Sequence, residues 1–139
     1  MPLNTNLIQI PILAKKLAVK IKGGETIALI GPLGSGKTTF AKALGKELKI
    51  KHKITSPTFT IMNSFQAILP KTKVKIFLYH LDLYRTKNFK EVEALGLTEI
   101  WGSPNTITLI EWADKIKKNL PRKTITIIFN NNDKIKHKA

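Results

Sequence analysis

The chain has 139 residues, carries a formal net charge of +15 at pH 7 and contains no cysteine. Those facts exclude a disulfide framework, a thiolate metal centre and a cysteine nucleophile, and no apolar run approaches the roughly 20 residues that cross a bilayer. The length suits one domain and the N-terminus lacks the basic start and cleavage site of a secretory signal, so a cytoplasmic domain is expected over residues 1–130, with a polar tail at 131–139.

Ile10, Leu13, Ala14, Leu17, Ala18 and Ile21 recur at helical spacing. They predict an amphipathic helix over 10–21, with Pro11 in its first turn and Gly23-Gly24 past its end. Thr26-Ile27-Ala28-Leu29-Ile30 is apolar and partly β-branched, so a buried strand is expected over 25–30. Next comes Gly31-Pro32-Leu33-Gly34-Ser35-Gly36-Lys37-Thr38, the phosphate-binding loop pattern. Its glycines let the backbone N–H groups around Leu33, Gly34, Ser35 and Gly36 turn toward a phosphate chain. Lys37 supplies a point charge for β- and γ-phosphates, and the Thr38 hydroxyl can replace one water on Mg²⁺. Phe40, Ala41, Leu44 and Leu48 then predict a helix over 37–48, with Lys42, Lys46 and Lys49 on another face. Strand, glycine loop and helix in that order aim a helix N-terminus at an anion.

Ser56-Pro57 breaks the chain. Residues 58–65 and 71–82 are candidate strands with a turn region at 66–70, so the two can pair as a hairpin. Phe89, Val92 and Leu95 predict a helix over 88–95, stopped at Gly96, with a short helical turn at 98–101. A buried strand at 106–110, a short helix at 112–118 ended by Leu120-Pro121, and a last strand at 124–129 complete the chain. Helices interleaved with apolar strands give an α/β fold. The expected architecture is the three-layer P-loop nucleoside-triphosphatase fold: a mostly parallel central sheet with an antiparallel hairpin and helices on both faces.

A phosphate-binding loop needs a carboxylate across the site, because Mg²⁺ on Thr38 takes a second anionic contact and an attacking water must be oriented. Two acids stand where chemistry would put them. Asp82 closes the strand at 71–82, and Glu111 directly follows Ile107-Thr108-Leu109-Ile110. Both emerge at carboxyl ends of strands, the edge on which α/β sheets bind ligands. Asp82 also suits a turn at a strand end, and Glu111 the first turn of a following helix. Thr58, after the proline-stiffened Ser56-Pro57, could reach a γ-phosphate as switch loops do. His80 shares a strand face with Asp82 and reads as a packed or hydrogen-bonded histidine; His52, His80 and His137 make no zinc pattern.

These segments together resemble one family. The chain is similar to the small bacterial P-loop ATPases of the TsaE (YjeE) family. The likeness lies in Gly31-Pro32-Leu33-Gly34-Ser35-Gly36-Lys37-Thr38-Thr39, Thr55-Ser56-Pro57-Thr58-Phe59-Thr60, His80-Leu81-Asp82-Leu83-Tyr84-Arg85, Gly96-Leu97 with Glu99, and Leu109-Ile110-Glu111-Trp112. It implies binding and slow hydrolysis of ATP, with Mg²⁺ held by Thr38 and Glu111. It implies a catalytic or metal-organising role for Asp82 and a switch-like role for Thr58. It further implies that Thr39 touches nucleotide phosphate and that Trp112 packs close to the nucleotide. The implied partners are the TsaD–TsaB heterodimer, which forms threonylcarbamoyladenosine at position 37 of tRNAs reading codons that start with A. The chain departs from the family pattern at Pro32 (usually Asp), Ser35 (often Ala) and Ala113 (usually Pro). Leu7 and Ile10 stand where a polar residue often lies near adenine.

A small-molecule or nucleoside kinase on the same fold is the alternative. Such enzymes use a lid and several phosphate-clamping arginines, whereas all but Arg85 and Arg122 of the 24 basic residues here are lysine. The lysine excess itself admits two readings: compositional drift with a solvated surface, or a face for tRNA or another acidic partner.

Overall fold

In each apolar run of the chain, alternate side chains must point to opposite faces of a sheet, and this sorts the core into two layers. The computed structural model describes residues 3–6, 8–51, 54 and 62–130. Its elements are β1 (Leu3–Thr5), α1 (Ile10–Lys20), β2 (Thr26–Ile30), α2 (Lys37–Glu47), β3 (Met62–Ile68), β4 (Lys75–Asp82), α3 (Phe89–Glu93), α4 (Leu97–Ile100), β5 (Thr106–Glu111), a 3-10 segment (Ala113–Asn119) and β6 (Ile125–Phe129). The strands form one six-stranded sheet in the order β1-β6-β2-β5-β4-β3. Every neighbouring pair is parallel except β3 with β4. Among the described residues no helix is long and apolar enough to cross a membrane.

Ile27, Leu29, Ile76, Leu78, Ile107, Leu109, Ile127 and Phe129 face α1 and α2, whose Ile10, Ala14, Leu17, Phe40, Ala41 and Leu44 close that layer. Each buried Ile, Leu or Phe side chain among these contributes about 1.5–3 kcal/mol over an exposed one. Phe40 meets Phe129 edge-on at 5.8 Å between ring centroids, which ties α2 to β6. The alternate positions Ala28, Leu81 and Ile110 face the other way, against Val92, Leu97, Ala113 and Ile116. The result is a three-layer α/β fold of P-loop type. Register places the functional edge: Asp82 stands opposite Glu111, and Glu111 opposite Leu29, two residues before the glycine loop.

The helices at 10–21 and 37–48 and the strands at 25–30, 106–110 and 124–129 occur within a residue of the expected bounds. The hairpin differs. β3 continues to Ile68 and β4 starts only at Lys75, so the expected turn at 66–70 moves to 69–74. Ala67 and Leu69 are buried in the core, which holds residues 66–68 in the ladder. The chain reverses beyond them, with Lys73 at φ 64° and the Leu69 N–H donating to the Val74 carbonyl at 2.9 Å. The helix at 88–95 shortens to Phe89–Glu93, and the turn at 98–101 is α4. The helix at 112–118 is a 3-10 segment that begins after Trp112 and breaks at Ile116. β1, whose three residues pair in parallel with β6, is not among the expected elements. Thr58, the strand start at 58–61 and the tail at 131–139 lie outside the described residues.

Candidate functional site

Two glycines shape the loop between β2 and α2 by taking the left-handed backbone, Gly34 at φ 77° and Gly36 at φ 111°. Gly36 is the N-cap of α2, and the first turn of that helix carries no acidic side chain. The N-terminal end of its dipole is therefore left for an external anion. Ser35 is buried, its N–H bonded to the Pro32 carbonyl at 3.2 Å, and its Oγ has no partner among the described residues. Gly31 has no room for a side chain: a Cβ there would lie 2.8 Å from Cβ of Phe129 and 2.9 Å from its carbonyl oxygen. Leu33 stands exposed on the loop, and Thr39 is exposed in the first turn of α2.

Lys37 folds into the loop. Its Nζ donates to the carbonyls of Gly31 at 2.5 Å and Pro32 at 2.8 Å, and sits 3.9 Å from the centre of the Trp112 ring. Burial pushes its pKa below the ordinary lysine value, and the charges of Glu111, Asp114 and Asp82, in that order, pull it back up. Trp112 follows Glu111 with φ at 60°, a turn that swings the indole off the sheet toward Tyr84, whose ring is 5.0 Å away. Lys115 secures the underside by donating to the carbonyls of Tyr84 and Thr86.

Glu111 is 2 % exposed and its two carboxylate oxygens are both engaged. Oε1 accepts from the Thr38 hydroxyl at 2.9 Å, and Oε2 lies 2.7 Å from Nε2 of His80. Asp82 stands beside it at the end of β4, where Oδ1 accepts the Tyr84 N–H at 3.0 Å.

The structure thus brings Lys37, Thr38, Glu111 and Trp112 into one contact set, with Asp82 at the adjoining strand end. Sequence reasoning read His80 as packed or hydrogen-bonded without naming Glu111 as its partner, and it missed the action of Asp114 on Lys37. The alternation of His80 with Asp82 was the available signal for the first; nothing local marks the second. Among the described residues no group of three or more His, Cys, Asp or Glu side chains could by itself hold a metal ion. A hydroxyl paired with a carboxylate suits instead Mg²⁺, which keeps several waters and takes few protein ligands.

Comparison with known proteins identifies a family and a fold. A family model described as "Threonylcarbamoyl adenosine biosynthesis protein TsaE" matches residues 5–139. The tRNA threonylcarbamoyladenosine biosynthesis protein TsaE of Bacillus subtilis is 38% identical over 118 residues, covering 84% of this chain and 68% of that protein. The protein of the same name from Aquifex aeolicus is 40% identical over 107 residues, covering 76% of this chain and 70% of its own length. The crystal structure of Bacillus subtilis YdiB superposes with a TM-score of 0.63 at 33% identity, covering 89% of this chain and 71% of that one.

Proposed function

The chain belongs to the TsaE family of threonylcarbamoyladenosine biosynthesis proteins, and on that premise we propose that it is a Mg²⁺-dependent ATPase serving the TsaD–TsaB complex in tRNA modification. One observation carries the reading: the Thr38 hydroxyl, at the mouth of the glycine loop, meets the Glu111 carboxylate at 2.9 Å. That contact joins the loop after β2 to the end of β5, the pairing a metal-chelated triphosphate needs.

The loop from Leu33 to Gly36 wraps the phosphates through backbone N–H groups. Lys37 exchanges its two carbonyl acceptors for β- and γ-phosphate oxygens. Thr38 and Glu111 hold Mg²⁺, directly or through water, and Asp82 adds a second carboxylate at the same edge. Bound there, Mg²⁺ neutralises charge that develops on the phosphates. Asp82 and Glu111 orient the attacking water, Thr58 takes a switch-like role, Thr39 touches phosphate, and Trp112 flanks the nucleotide. The chain offers only Arg85 and Arg122 as cationic fingers, so turnover is slow until the partner heterodimer completes the site.

Steady-state ATP hydrolysis with and without TsaD–TsaB tests this, together with calorimetry of Mg-ATP binding. Slow turnover alone and faster turnover with the heterodimer are expected. Equal rates without co-elution would remove the partner assignment, and no affinity for Mg-ATP would remove the activity.

A further inference from the structure

His80 is fully buried on β4 and is paired in register with Leu109, two residues before Glu111 and on the same face of β5. Its Nε2 lies 2.7 Å from Oε2 of Glu111, while Oε1 of that carboxylate receives the Thr38 hydroxyl. Each carboxylate oxygen therefore has its own partner, and the carboxylate torsion is fixed from two elements. The other ring nitrogen, Nδ1, is buried and has no partner among the described residues. A proton on Nε2 gives Oε2 a donor and leaves only a lone pair at Nδ1. A proton on Nδ1 alone would strand an N–H in the core and set a lone pair against a carboxylate. The ring is thus oriented as a donor to Glu111. A histidine needed only for packing would have no such constraint.

We propose that His80 is a positioning residue. Through Nε2–H it holds Glu111 with Oε1 turned to Thr38, and so sets the affinity of the site for a divalent cation, touching neither cation nor nucleotide. The inference rests on the Mg-ATP reading above. Partners that orient a ligating side chain typically govern 10–100-fold in metal affinity, roughly the range at stake here.

The test is Mn²⁺ binding in the presence of a non-hydrolysable ATP analogue, read from the electron paramagnetic resonance of free Mn²⁺. It compares the full chain with His80→Leu, His80→Asn and His80→Gln. The glutamine amide nitrogen falls near the imidazole Nε2 position, whereas that of asparagine falls near Nδ1. Leu and Asn should weaken Mn²⁺ binding by about tenfold or more, and Gln should stay within about threefold of the parent. Analogue affinity measured in EDTA should be the same in all four. Unchanged Mn²⁺ affinity in His80→Leu, or equal losses in His80→Gln and His80→Asn, overturns the role of His80 and leaves the Mg-ATP reading intact. If His80→Leu does not fold, the Gln and Asn pair decides alone. Absence of Mn²⁺-dependent analogue binding by the parent overturns the Mg-ATP reading and this role with it.

Discussion

Lys37 is held where its charge is costly. Its pKa lies below the ordinary 10.5 because burial outweighs the attraction of Glu111, Asp114 and Asp82. Between that lowered value and 10.5 the unfolded chain binds more protons than the folded one, so this residue makes stability rise with pH across that window. Below the window its full penalty is present. Relative to Lys37→Met, the parent should therefore gain stability as the pH rises toward 10.5, while the variant loses nucleotide binding. Melting temperature against pH for both chains checks the sign. Glu111→Ala and Asp82→Ala should each slow hydrolysis on the order of 100-fold, with a smaller effect on nucleotide affinity in a binding titration. Unchanged turnover in Asp82→Ala would reduce that residue to the turn it closes with the Tyr84 N–H.

The glycine loop joins β2 to α2, and its two kinds of glycine fail differently. Gly31→Ala puts a methyl against the backbone of β6, so β2 and β6 must part or the loop must lift. A cost of about 1–3 kcal/mol is expected, with weakened nucleotide binding. Gly34→Ala meets no atom within 4 Å but must keep φ near 77°; strain of about 1–2 kcal/mol is expected there. Thermal melts of both separate crowding from strain, and an unchanged melt for Gly31→Ala would mean that the loop absorbs the methyl. The elements around this loop were legible because their signals are local. Apolar periods mark α1, α2, β2, β5 and β6, and the glycine-lysine-threonine run marks the turn. β1 was not legible, because Leu3-Asn4-Thr5 is too short to show a period and gains its partner only from β6. The hairpin turn lies later than the expected 66–70 because burial of Ala67 and Leu69 keeps β3 in the ladder to Ile68. The bond between His80 and Glu111 was hidden because strand register is a long-range property, fixed by the neighbouring β5 rather than by any residue near His80.

Exposed lysine gathers on the two helices of one layer. Lys15, Lys16 and Lys20 on α1 and Lys42, Lys46 and Lys49 on or just beyond α2 are all exposed, with Glu47 as the acid within those two helices. At the carboxyl edge of the sheet Asp82, Glu111 and Asp114 act together on Lys37. The basic layer should bind tRNA and unrelated RNA of equal length alike at low ionic strength. The log–log salt slope should be about −0.7 to −0.9 per phosphate neutralised, and binding should vanish in high salt. Filter binding across a salt series measures this; RNA-selective retention at high salt would show a recognition face instead of a diffuse one. The chain also holds two indoles, Trp101 and Trp112. Trp101 stacks on Phe89 at 6.1 Å, while an ammonium hovers over Trp112. Whatever draws that cation away alters the electric field on one chromophore and spares the other. In Trp101→Phe the remaining ultraviolet emission should change colour or brightness as nucleotide is added, a dye-free optical gauge of occupancy already wired into the polypeptide.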